Sequence, residues 1–219
     1  LVERYDRIIA GRGDQPTGID EDIVRLVAHS EVEESKSAET GDNVFAMVRR
    51  IGQAKATLAA DYTAQLAANV GKVVFFAKHI DVMDAAEAHF AKAGIKTTSI
   101  RGDQSGAART AAIDDFTNDP DVKVIVCSLT AAGVGINLQV ASNVVLAELS
   151  WTSAEQTQAI DRVHRIGQEL PVTAWRILAA QTIDSRIADL IDSKAGLAAR
   201  ALDGNDSEVV QSESVQAAA

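Results

Sequence analysis

Cysteine is almost missing from this chain. The single one, Cys127, has no partner for an internal disulfide, and a cysteine-held metal cluster is excluded. The four histidines, at 29, 79, 89 and 164, show no ligand spacing, so no metal site is expected. The apolar runs are far too short to span a bilayer and no signal peptide opens the chain, so no membrane partner is expected. A reducing, intracellular setting fits. The first residue is Leu, and the chain is expected to be part of something longer. Also missing is any Gly-x-x-x-x-Gly-Lys-Ser/Thr string, and any Asp-Glu-x-His. Asn69-Val70-Gly71-Lys72-Val73 is a near miss: it lacks the upstream glycine and the hydroxyl after Lys72, and a strand follows it. Excess positive charge is lacking too. The net charge is −10, but residues 72–202 are close to neutral and the acidity sits mostly in the flanks. A near-neutral lobe can still hold a phosphate backbone through N–H groups and a few local cations, although tight binding on its own is not expected.

At 219 residues and 47% apolar, the chain supports one globular domain with extensions. A short amphipathic helix is expected over Ile19 to His29, and Glu31 to Asn43 reads as an acidic linker. Residues 1–43 are therefore taken as a polar extension. Asn43 is placed to cap a long helix through Asn69. Strands and helices then alternate. Strands are expected at Lys72 to Ala77, Thr97 to Ile100, Val122 to Cys127, Asn143 to Ala147 and Val172 to Leu178. Helices are expected at Ile80 to Ala93, Gly106 to Asn118, Ser153 to Arg165 and Thr182 to Leu202, the last broken near Gly196. Such alternation implies an α/β fold with a mainly parallel sheet covered on both faces, over 44–202. Residues 203–219 are acidic and Ser-rich and are expected to be a disordered tail.

Two segments carry the chemistry. Gln158-Ala159-Ile160-Asp161-Arg162-Val163-His164-Arg165-Ile166-Gly167-Gln168 puts two arginines three residues apart on an expected helix. Gln158, Asp161, Arg162 and Arg165 share one face, with His164 turned away. A face with Gln and two Arg is poor core material but suits a phosphate, since guanidinium offers fixed, permanently charged donors. The competing reading is a solvated face with an Asp–Arg surface pair. The second segment is the apolar, β-branched run Val122 to Cys127 leading into Ser128-Leu129-Thr130-Ala131-Ala132-Gly133-Val134-Gly135-Ile136-Asn137-Leu138. A Gly-rich loop after a parallel strand is where open α/β sheets bind ligands. A dinucleotide fingerprint fails there, because Leu138 stands where the third glycine belongs.

Thr130 to Leu138 is similar to motif V of the Swi/Snf family of helicase-like ATPases. The segment ending Arg-Val-His-Arg-Ile-Gly-Gln is similar to their motif VI, and Trp151 lies between the two where the family has a tryptophan. The resemblance runs from Val44 to Gly204 and covers the second of two RecA-like lobes, a three-layer α/β domain. It implies that Arg162 and Arg165, with Gln158, reach the γ-phosphate of an ATP that is held, with its Mg²⁺, mainly by the first lobe. The arginines would stabilise charge on the transferring γ-phosphoryl group. Asp161 would orient an arginine, and Gly133 and Gly135 would line the nucleotide side. Thr130, Ala131, Lys78, His79 and Gly102 would meet the DNA backbone.

The chain departs from the family in three places. Arg101-Gly102-Asp103 stands for Asp-Gly-Ser, Lys78-His79 for a hydroxyl or amide residue, and Glu148 for Asp before the tryptophan. The implied partners are the N-terminal RecA-like lobe, duplex or branched DNA, and a protein for the acidic flanks. The implied location is the nucleoid or the nucleus. The whole enzyme would translocate on DNA, while this chain alone is expected to hydrolyse no ATP. The alternative is a non-catalytic interaction module that retains the fold.

Overall fold

A computed structural model describes residues 44–130, 135–150 and 153–203, with backbone only for 44–45 and 194–203. The expected helix at Ile19 to His29, the acidic linker, Trp151 and the tail beyond Asp203 lie outside the described residues. In chain order the elements are α1 (Val44–Val70), β1 (Val73–Ala77), α2 (Ile80–Lys92), β2 (Lys96–Ile100), α3 (Gly106–Asn118), β3 (Val122–Ser128), β4 (Asn143–Leu146), α4 (Ser153–Ile160), β5 (Thr173–Arg176) and α5 (Ile183–Asp203). The five strands pair in the order β2-β3-β1-β4-β5. Every pairing is parallel, so the sheet is wholly rather than mainly so.

Burial explains why the middle strands read as unbroken apolar runs. All five residues of β1 are buried, and in β3 only Lys123 is exposed. Alternate side chains feed two separate cores, as a sheet covered on both faces requires. Val74, Phe76, Ile125, Cys127, Val144 and Leu146 face Phe116 of α3 and Ala159 of α4. Val73, Phe75, Val124, Val126 and Val145 face α1 and α2. There Phe75 meets Phe90 edge-on at 5.8 Å between ring centroids. On α1 the buried positions Ala56, Ala59, Ala60 and Ala67 are small, which lets the helix lie close to its neighbours. Burial pushes the Cys127 thiol far above its ordinary range, so it is core material rather than a nucleophile.

A third cluster, of Leu149, Ile183, Ile187, Ala188 and Ile191 with Met47, Val48 and Ile51, joins α5 to the start of α1. The break expected near Gly196 does not form. One glycine costs a helix only about 1 kcal/mol, and Ala195, Leu197, Ala198 and Ala199 around it favour helix. No described helix is long and apolar enough to cross a membrane.

Candidate functional site

The arginines are not on a regular helix. α4 ends at Ile160, and residues 161–167 form a run of turns. The hydrogen bonds show why. Asp161 N–H still reaches Thr157 carbonyl four residues back, at 2.8 Å, but Arg162 and Val163 reach only three back, to Ala159 and Ile160. This is the tightening common at helix ends. The Arg162 carbonyl is then taken by Leu138 N–H at 2.8 Å, across from the other chemical segment. Val163, fully buried, anchors the turn in the core. Gly167, at φ +99°, reverses the chain where an L side chain would be strained.

The turn nevertheless brings together the residues expected to share a face. Gln158, Asp161, Arg162 and Arg165 line one cleft of about 630 Å³, together with Asn137 and Gln139. His164 lines it too, so the expectation that its ring turns away is corrected. Arg162 is half-buried, and its Nε is buried with no hydrogen-bond partner. Arg165 is exposed, and its guanidinium donates a long 3.5 Å bond to the Ile136 carbonyl. Two cations thus front the cleft, and guanidinium groups suit an oxyanion.

The rest of the expected site lies apart from this cleft or outside the described residues. Gly133 and Ala131 belong to the latter. Gly135 is exposed at φ +27°, two residues before Asn137. Thr130 is exposed at the end of β3, its hydroxyl 2.8 Å from that of Ser128. The Gly102 carbonyl accepts from Arg109 at 2.7 Å, and Arg101 pairs with Asp84 and Glu87 of α2 at 2.7 and 3.0 Å. That arginine is therefore committed within the domain.

The Lys78 and His79 amides are committed as well. Glu148, 2% exposed, accepts both N–H groups, at 2.7 and 2.9 Å, and its other oxygen lies 2.6 Å from His79 Nδ1. Burial lowers the Lys78 ammonium pKa, opposed by Glu155 and Glu148.

Three structural groups were not visible as such in the sequence. Glu148 carries the end of β1. Lys55 is buried in an ion pair with Asp184 and donates to the Ile177 carbonyl at 2.6 Å. Gln168 ties the arginine turn to the loop that precedes β4. For Glu148 and Lys55 the signal was a charged residue between apolar neighbours, a weak one without coordinates; Gln168 offered none. Among the described residues, no three His, Cys, Asp or Glu side chains gather to hold a metal ion.

The comparisons agree with one another. The family described as "Helicase conserved C-terminal domain" matches residues 54–167. The chain is 38% identical over 130 residues to Helicase-like transcription factor CHR27 of Arabidopsis thaliana, which is 59% of this chain and 12% of that protein. It is 35% identical over 123 residues to DNA repair protein rad8 of Schizosaccharomyces pombe, 56% of this chain and 11% of that one. With the mouse DNA annealing helicase and endonuclease ZRANB3, identity is 32% over 168 residues, 76% and 16% of the two chains. Among solved structures, the C-terminal part of the Fun30 ATPase domain is similar, with a TM-score of 0.58 and 28% identity. That likeness covers 61% of this chain and 45% of the other. The chain thus spans about an eighth of the length of such curated relatives.

Proposed function

Since the chain belongs to the helicase conserved C-terminal domain family, in its Swi/Snf branch, we propose that it is the second motor lobe of a DNA-dependent ATPase. In this reading ATP lies between two lobes, with the Mg²⁺ and the phosphate cradle supplied by the first. This lobe contributes Arg162 and Arg165. The observation that carries the proposal is the convergence of both arginines on one cleft with Gln158. When the lobes close, charge spreads over the γ-phosphoryl oxygens, and two fixed guanidinium groups offset it without needing a proton. Asp161, lining the same cleft, orients an arginine rather than acting as a base. Hydrolysis and reopening move the lobes, and each lobe holds the DNA backbone in turn. On this lobe that grip draws on Thr130 and the loop following it, on the side chains of Lys78 and His79, and on the Gly102 turn. Curated relatives named as ATP-dependent helicases and DNA repair proteins support the assignment.

The test is ATP hydrolysis by the full-length gene product, with and without duplex DNA, beside its Arg165→Ala form. DNA-stimulated turnover that falls by about 10³-fold in the variant is expected, the low end of what such arginines contribute. The 219-residue chain alone is expected to show none. A full-length protein without stimulation, or a variant as active as its parent, would move the weight to a non-catalytic module that binds a protein through its acidic flanks.

A further inference from the structure

Local backbone bonds and the buried Val163 hold the start of the arginine turn, so what remains is to tie its end, from Arg165 on, to the rest of the fold. One side chain does so. Gln168 Nε2 donates to the Gln139 carbonyl at 2.9 Å and to the Ala141 carbonyl at 2.9 Å, both in the loop before β4. It also approaches the Val163 carbonyl, at 3.4 Å, inside the arginine turn. Its Oε1 accepts from Leu170 N–H at 3.0 Å, and its own N–H donates to the Arg165 carbonyl at 2.9 Å. A primary amide has two N–H donors and a carbonyl acceptor, and all are engaged here. The span they fasten is telling. Asn137 and Gln139 of the loop and Arg162, His164 and Arg165 of the turn line the same cleft. Besides Gln168, the direct ties between loop and turn are Leu138 N–H to the Arg162 carbonyl and the long Arg165 bond to Ile136.

We propose that Gln168 is a positioning residue that locks the arginine turn against the 137–141 loop and so sets where Arg162 and Arg165 stand when ATP is bound. The inference rests on the second-lobe reading. Gln168 touches no substrate in this account; it acts through the two arginines. Removing its donors frees the turn to shift, and a displacement of about 1 Å at a charge-stabilising group is worth up to ~100-fold in rate. Because ATP is held mainly by the other lobe, such a shift is felt in the transition state far more than in ground-state binding.

Two variants of the full-length protein test this. Gln168→Glu keeps the shape but replaces the donors with a carboxylate facing carbonyl oxygens. Gln168→Leu removes all polarity. The expected result is kcat lowered by roughly 10- to 100-fold, the range for lost outer supports of a site, with KM for ATP within about two-fold of the parent. Hydrogen exchange in the peptide covering 137–142 is expected to speed up about tenfold as the Leu138 N–H to Arg162 bond loosens. Circular dichroism and the melting temperature report whether the fold survives. A parent that is DNA-stimulated and silenced by Arg165→Ala, beside Gln168 variants of parental kcat, would overturn this proposal and leave the second-lobe reading standing. Loss of kcat in step with a collapse in melting temperature in both variants would also overturn it, as the mark of a merely structural role. A parent without turnover would sink the second-lobe reading instead. Exchange would then decide the tether alone: faster in the variants supports it, unchanged refutes it.

Discussion

Glu148 and His79 are joined twice over: one carboxylate oxygen accepts the His79 backbone N–H at 2.9 Å while the other lies 2.6 Å from its ring Nδ1. His79 is the N-cap of α2 and makes no side-chain cap bond of its own. The job of satisfying free N–H groups at that helix start falls to a residue 69 positions away in sequence, two residues past β4. Removing the carboxylate leaves two part-buried N–H groups without their acceptor. Glu148→Ala is therefore expected to cost roughly 2–3 kcal/mol, read as a lower denaturant midpoint at unchanged slope. Glu148→Gln, which keeps one acceptor oxygen, is expected to fall between. An alanine variant within experimental error of the parent would mean that the bonds contribute nothing net.

The same carboxylate fixes the sign of a second substitution. Gly52 lies within α1 and is buried, and a glycine inside a helix normally costs about 1 kcal/mol against alanine. Propensity alone therefore predicts that Gly52→Ala stabilises. A Cβ at position 52 would stand 2.3 Å from Glu148 Oε1, 2.9 Å from its Cδ and 3.2 Å from Val82 Cγ2. Glu148 cannot withdraw without abandoning Lys78 and His79. Gly52→Ala is expected to destabilise by about 1–3 kcal/mol, as overpacked cores do. A raised melting temperature would show that the carboxylate has somewhere else to go.

These two residues mark the limit of what the sequence conveyed. The runs at β1 and β3 were legible because strands buried on both faces are apolar at nearly every position, with Lys123 the exposed exception, and α3 was legible end to end. The motif segments were legible because Arg162, Arg165 and Gln158 have no business in a core. The arginine turn was misjudged, because helical spacing and a closing glycine fit a helix through Arg165. The competing event, capture of the Arg162 carbonyl by Leu138 N–H, is long-range and leaves no local trace. For the same reason Glu148 read as a retained charge rather than a structural acceptor. Gly133, Ala131 and Trp151 lie outside the described residues.

The pH dependence of stability follows from a surface pair. The Asp119 carboxyl is held below its ordinary range by a hydrogen bond from Lys96 and by the Asp121 N–H at 2.8 Å. Lys96, 2.5 Å away, is raised in turn by the Asp119 carboxylate. A depressed carboxyl contributes stability that is present above its unfolded value, about 3.9, and is lost as pH falls through the folded one. A raised ammonium contributes stability that is present below about 10.4 and lost as pH rises through its folded value. Asp81 adds to the acid limb: hydrogen bonds from Gln53 and Arg49 outweigh the burial that would raise it. The urea midpoint is expected to be flat between about pH 5 and 9 and to drop outside that window. In Asp119→Asn both limbs should be shallower. Limbs as steep as the parent's would assign the titration elsewhere.

Lys55 and Asp184 offer the sharpest test of how the outer helices are held. The pair is buried, 7% exposed on either side, and it binds the middle of α1 to the first turn of α5. Each member has further work: Lys55 donates to the Ile177 carbonyl at 2.6 Å, and Asp184 accepts the Ala179 N–H at 3.0 Å. Taking two charges out of water is costly, and their attraction about repays it, so the pair as a whole contributes little net stability. Breaking it is another matter, since one charge then stays buried alone. Lys55→Met and Asp184→Leu are each expected to cost roughly 3–5 kcal/mol. The double variant is expected to cost well under their sum, because neither charge is stranded. The residue of that cost comes from the unanswered Ile177 carbonyl and Ala179 N–H, about 1–3 kcal/mol for each buried group left unpaired. A double-mutant cycle by urea denaturation checks this: a coupling of several kcal/mol fits the buried pair, and additive single costs would mean that Lys55 and Asp184 act independently.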